Sequence, residues 1–153
     1  MSAQRIVAGA LVRLKLKDDL FCYGQVINKA EIAFFDFFER EPSQPLPEDI
    51  LLKPILFVLA VMNSAIKSGR WKVIDKRPIA EKLLEPREYF IQDKITKQFS
   101  IYRNTDGSIR PANRVDVDGL ECAAVWEAEH VEDRLRDHFA GCPNALVARL
   151  MPT

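Results

Sequence analysis

The residues able to do chemistry are few in this chain of 153, and their spacing supports little catalysis. His130 and His138 are eight positions apart, which on a helix separates the rings by about 12 Å, too far for one metal ion to take both. No H-E-x-x-H pair accompanies them, and a surface position on a polar helix face is the reading we favour. Cys22, Cys122 and Cys142 are odd in number and lack C-x-x-C spacing, so neither a zinc knuckle nor a disulfide framework is indicated. They read as reduced thiols of a cytoplasmic protein. There is no G-x-S-x-G elbow, and the 6 glycines form neither G-x-G-x-x-G nor a Walker loop. The expectation is therefore no catalytic residue, no metal and no cofactor.

Recognition has more to work with. Asp36 stands between Phe34-Phe35 and Phe37-Phe38 and, by strand alternation, shares a face with Phe34 and Phe38. A carboxylate desolvated there needs a partner or its pKa rises. It is either a binding carboxylate or a structural one, paired to an arginine or reaching water at a sheet edge. Arg70-Trp71-Lys72 joins an aromatic to two cations. That is the composition of an interface hot spot, or of a core tryptophan with snorkelling neighbours. Asp106 and Arg110 lie in a polar turn region. Glu129, Glu132, Asp133 and Asp137 form an acid-rich helix face, read as solvated.

The elements that must position these residues follow from periodicity. Ile55 to Met62 is apolar on both alternating faces and too short to span a membrane, so it reads as a central strand covered on both sides. Asn63 to Gly69 punctuates the chain, and Arg70 to Ile74 reads as a second strand beside it. Upstream, Leu11 to Lys17 alternates apolar and basic residues. Ile6 to Val12 runs into that alternation, so it is not read as an export signal. Leu20 to Ile27 is the next strand, with Gly24 marking a bulge or close approach. Asn28 to Ala30 turns the chain into Glu31 to Phe38. Glu39 to Pro47, with Pro42, Pro45 and Pro47, is a loop, and Pro47-Glu48-Asp49 resembles the first turn of a short helix. Downstream come a short helix within Ile79 to Glu85, strands at Glu88 to Asp93 and Phe99 to Arg103, a turn at Asn104 to Gly107 and an irregular stretch to Gly119.

Ala128, Val131, Leu135 and Phe139 then recur at near-helical spacing, with Glu132 and Arg136 as an i,i+4 pair. Gly141 caps this helix and Pro143 opens another, to Met151. The fold expected is α+β in one domain over 1–153: a strongly bent antiparallel sheet at roughly 10–103, open or partly closed like a small barrel, then a C-terminal helical pair at roughly 127–151. A formal net charge of +0 disfavours a dedicated nucleic-acid binder.

Several runs, in order, resemble a known family. They are YGQV at Tyr23 to Val26, AFFDFF at Ala33 to Phe38, SAIKSGRWKVI at Ser64 to Ile74, YFIQD at Tyr89 to Asp93 and FSIY at Phe99 to Tyr102. GLECAAVWEAEHVEDRLRDHFAG at Gly119 to Gly141 follows. Together they resemble the immunity protein 26 family of bacterial polymorphic toxin systems. The resemblance implies a mixed α and β, non-enzymatic inhibitor that binds a cognate secreted toxin stoichiometrically and occludes its active site. It transfers no established functional residues. Candidate interface residues are Asp36, Arg70, Trp71, Asp106, Arg110, Glu129, Asp133 and Asp137. Two rivals stand beside this reading. One is a nucleic-acid-binding or regulatory β-barrel module, which needs Arg13, Lys15, Lys17, Lys72 and Trp71 to converge. The other is a small hydrolase using Asp36 or a cysteine. The oligomeric state is not indicated.

Overall fold

The computed structural model describes residues 4–42 and 46–153. Pro45, the middle loop proline, lies outside the described residues. In chain order the strands and α-helices are β1 (Ala10–Lys17), β2 (Leu20–Val26), β3 (Glu31–Glu39), β4 (Ile55–Val61), α1 (Ser64–Lys67), β5 (Lys72–Lys76), α2 (Glu81–Leu84), β6 (Glu88–Gln92), β7 (Phe99–Arg103), β8 (Ile109–Ala112), β9 (Glu121–Cys122), β10 (Val125–Trp126), α3 (Ala128–Ala140) and α4 (Ala145–Leu150). Short 3-10 helices occupy Ile50–Leu52 and Arg114–Val117. The class is α+β, as expected, but the strands form two bent sheets rather than one, and neither closes into a barrel. No helix among the described residues is long and apolar enough to cross a membrane.

The chain divides into two compact units, one of Met1–Leu84 with Val125–Pro143 and one of Glu85–Ala124 with Asn144–Thr153. In the first, the order is β10-β4-β3-β2-β1-β5. The alternation read in β1 sends Val12 and Leu14, both fully buried, to one face and Arg13 and Lys15 to the other. β1, β2 and β3 form an antiparallel meander. The β2–β3 turn is set by Asn28, whose Oδ1 accepts from the backbone N–H groups of Ala30 and Glu31 at 2.9 and 2.8 Å. Of the bulge or close approach expected at Gly24, the register gives no extra residue on β2: between the pairs Cys22–Phe38 and Gly24–Phe34 the extra residues lie on β3. Gly24 is the close approach: a Cβ there would lie 3.0 Å from both the Ala33 carbonyl oxygen and the Ile32 side chain.

Ile55 to Val61 is not the central strand. β4 lies one place from the edge, flanked on its outer side only by the two-residue β10, which pairs with it in parallel at Val125 and Trp126. Most of its residues are accordingly half-buried, and the deepest burial is in β1, β2 and β3. Two layers complete the core. Ile50 covers Leu11, Tyr23 and Phe35 on one face. The helix α3 packs along β1, burying Val131 and Leu135 completely, each contributing roughly 2 kcal/mol. Gly141 ends α3 in the left-handed conformation at φ 72°, the cap expected of it.

In the second unit the order is β8-β7-β6-β9, with β6 and β9 parallel. Phe90, Ile101 and Val117 make its core. The stretch from Ser108 to Gly119, read as irregular, contains β8 and a 3-10 helix. Pro111 conceals β8 from sequence reasoning, yet an edge strand tolerates the missing N–H. The two C-terminal helices exist, but α3 belongs to the first unit and α4 to the second. α4 begins at Ala145, capped by Asn144, whose Oδ1 accepts from the Val147 backbone N–H at 2.9 Å.

Candidate partner-binding surface

The turn from α1 into β5 carries Arg70 and Trp71 ahead of the strand, which starts at Lys72 rather than at Arg70. It is held from the N-terminal side by Gln4. The Gln4 amide donates to the carbonyls of Ile66 at 2.9 Å and Trp71 at 2.7 Å, and its Oε1 accepts from the Val73 backbone N–H at 2.9 Å. Trp71 is 0% exposed and meets Phe34 edge-on at 5.7 Å between ring centroids. It is the core tryptophan of the two readings, so no partner ring or base reaches it.

What lies above Trp71 is the best-defined polar cluster in the first unit. Glu132 of α3 is 6% exposed and takes both arms of the Arg70 guanidinium, Nε to Oε2 and Nη2 to Oε1, each at 2.8 Å. The indole Nε1 of Trp71 donates to the same Oε2 at 2.8 Å. Burial pushes the Glu132 carboxyl up, but the bonds from Arg70 and Trp71 outweigh it and hold the group below its ordinary value. The bond to Glu132 likewise holds Arg70 above its own. Two expectations are corrected. Glu132 is not on a solvated face, and it does not pair with Arg136. The long-range bidentate partner displaces the i,i+4 one because it satisfies a buried carboxylate. Arg136 instead donates to Asp133 and to the Leu16 carbonyl, the latter at 2.6 Å.

The other acids of α3 lie towards solvent. Glu129 and Asp133 are exposed, and Asp137 is half-buried one turn further on. Near its C-terminal end His138 Nε2 lies 3.0 Å from Oδ1 of Asp36, with both side chains about two-fifths exposed. Asp36 is therefore not desolvated by phenylalanines. The alternation of β3 holds: Phe35 and Phe37 pack with Tyr23 on one face, while Phe34 meets Trp71 and Asp36 and Phe38 meet α3 on the other. Asp36 reaches water, but from an interior strand and not from the sheet edge expected, and its partner is a histidine rather than an arginine. Beside it Phe38 is 40% exposed, packs on Phe139 at 5.1 Å and carries the Arg40 guanidinium over its ring at 5.6 Å. Asp36, Phe38, Arg40 and His138 thus make a continuous patch that sequence reasoning named only through Asp36. The i to i+8 spacing of the histidines held no hint that one of them would meet β3.

In the second unit, Asp106 accepts from the Ser108 backbone N–H at 2.9 Å within the β7–β8 turn, a bond that keeps its carboxyl below the ordinary range. Arg110 on β8 donates to Glu88 on β6 at 2.7 Å.

Two of the three thiols are placed unfavourably for a nucleophile. Cys22 is fully buried and desolvation drives its thiol far up; burial also raises Cys122. Neither is poised as a thiolate. One carboxylate–histidine group has ligand atoms within 4.8 Å of one another: Glu127, Glu129 and His130, all at the surface. An open cavity of about 270 Å³ beside it is lined by Met62, Arg70, Glu127 and Glu129. Arg13 and Lys72 are paired across β1 and β5, with Lys15 two residues on, so part of the basic set does share a sheet face. Trp71, the stacking residue that reading needs, does not join it.

Comparison with known proteins gives a family match. The model described as Immunity protein 26 matches residues 7–101, well over half of the chain. No curated protein and no solved structure matches.

Proposed function

The chain belongs to the immunity protein 26 family, and from that premise we propose that it neutralises a cognate secreted toxin by tight stoichiometric binding that covers the toxin's active site. The family match is the observation that carries this reading. On it the protein is an inhibitor and not an enzyme, acts in the cytoplasm of the producing or neighbouring cell, and has a protein domain as partner. In the first unit the proposed interface is the outer side of α3 with Glu129, Asp133 and Asp137, the Arg70 head group above Glu132, and the patch around Asp36. Trp71 supports it from below by fixing Glu132, which fixes Arg70. Asp106 and Arg110 are the proposed contribution of the second unit. A bidentate clamp on α3 favours a surface set before the partner arrives, which lowers the ordering cost of association. Its charges act chiefly on encounter rate and partner choice.

The test is to take the open reading frame immediately upstream, establish that its C-terminal domain is toxic, and co-express that domain with the wild type and with a Glu129→Lys, Asp133→Lys, Asp137→Lys variant. Wild type restores growth, and on a basic toxin cleft the variant binds at least tenfold more slowly at low salt. Growth not restored by the wild type refutes the inhibitor reading. An unchanged association rate removes α3 from the interface.

A further inference from the structure

The β6–β7 hairpin ends in a residue that nothing in the fold covers. Ile95 is 91% exposed, more than any other large apolar side chain described. A lone exposed isoleucine is ordinary on a protein surface. What sets this one apart is the rigidity of its mount. Asp93 Oδ1 accepts from the backbone N–H groups of both Ile95 and Thr96 at 2.8 Å. The Asp93 N–H donates to the Gln98 carbonyl, and the Lys97 N–H to the Asp93 carbonyl, each at 2.9 Å. Gln92 donates from Nε2 to the Lys97 carbonyl at 3.2 Å. Lys97 is held at φ 64°, the one described residue other than glycine with a positive φ. A lysine there costs energy that glycine or asparagine would spare.

The tip carries two lysines and one aspartate. The bonds from Thr96 and Ile95 engage one oxygen of the exposed Asp93 carboxylate and hold its pKa below the ordinary range. Lys94 and Lys97 flank Ile95 and are exposed, and the charge of Lys97 also acts on Asp93. A second exposed apolar side chain sits at the same end of the sheet. β8 ends at Ala112 opposite Phe99, the first residue after the hairpin, and the following 3-10 helix presents Val115 at 72% exposure.

We propose that the β6–β7 hairpin tip is an anchor that inserts Ile95 into an apolar pocket of the toxin whose rim carries carboxylates met by Lys94 and Lys97. This rests on the inhibitor reading and names a contact that reading does not. A tip already ordered in the free protein loses little conformational freedom on docking, so a small contact yields a slow off-rate. Lysine at position 97 keeps a cation beside the anchor at the expense of backbone strain.

The experiment uses the full chain and the upstream-encoded toxic domain in a surface-immobilised binding assay. The variants are Ile95→Glu, the double change Lys94→Glu with Lys97→Glu, and the control Leu52→Glu, an 84% exposed residue of the first unit. Because position 95 is almost fully exposed, Ile95→Glu keeps the wild-type circular dichroism and melting midpoint. Its dissociation is expected at least thirtyfold faster. The lysine double variant associates at least tenfold more slowly at low salt, and Leu52→Glu stays within threefold of wild type. Ile95→Glu binding within threefold of wild type overturns the anchor while the inhibitor reading stands. No binding by the wild type overturns both.

Discussion

Glu132 shows how one side chain joins stability to a surface. It is the shared acceptor for Arg70 and for the Trp71 indole, so it ties α3 to the turn before β5. Glu132→Ala leaves a buried indole N–H without its acceptor and frees Arg70. The expected loss is about 2–3 kcal/mol in urea unfolding, at the lower end for a broken buried pair because Arg70 is half exposed. The sign of the pH dependence follows from the depressed carboxyl. A group lowered in the folded state stabilises it above the unfolded value, here 4.5, and that contribution disappears as pH falls through the folded value. The gap in stability between wild type and Glu132→Gln is therefore widest near neutrality and narrows below pH 4.5. A gap independent of pH across that range would mean the carboxylate is not charged in the fold.

At the scale of elements, local patterns were readable and partnerships were not. The alternation in Leu11–Lys17, the close approach at Gly24, the Asn28 turn and the Gly141 cap are written in short-range chemistry, and each appears where expected. β4 was misplaced because an apolar run reports burial but not which neighbour supplies it; Arg134 lying 3.9 Å over the Phe57 ring covers part of that strand. β9 and β10 are two residues each, below what periodicity can register, and each is recruited by a longer parallel neighbour. Alternation gives the face of Asp36, which it shares with Phe38 against α3, but its partner comes from 102 residues away and no local pattern announces it. The hairpin anchor left no signal beyond an isoleucine between polar residues. The close approach at Gly24 yields a further expectation. Gly24→Ala places a methyl 3.0 Å from a backbone carbonyl inside the β2–β3 ladder, where only a backbone shift relieves it. A loss of roughly 1–3 kcal/mol in thermal or urea unfolding is expected, and no loss would show that β2 can slide there.

The whole molecule interleaves its two units. The chain leaves the first at Leu84, builds most of the second, returns at Val125 to add β10 and α3, and leaves again after Pro143. The family match covers residues 7–101, yet the core of the first unit is closed by Val131 and Leu135, which lie beyond it. A fragment of residues 1–101 therefore exposes the face of β1 that α3 covers and lacks the acceptor for Trp71. It is expected to bind hydrophobic dyes and to give a collapsed amide proton spectrum, whereas the full chain gives a dispersed one. A dispersed spectrum from the fragment would show that α3 is dispensable.

This order of assembly bears on synthesis. The last helix of the first unit emerges from a ribosome only after some forty residues of the other unit have already been made. Polypeptides released early by stalling or by a nonsense codon carry the sheet without its lid. They become substrates for proteases, and on the proposed inhibitor reading only finished molecules would protect.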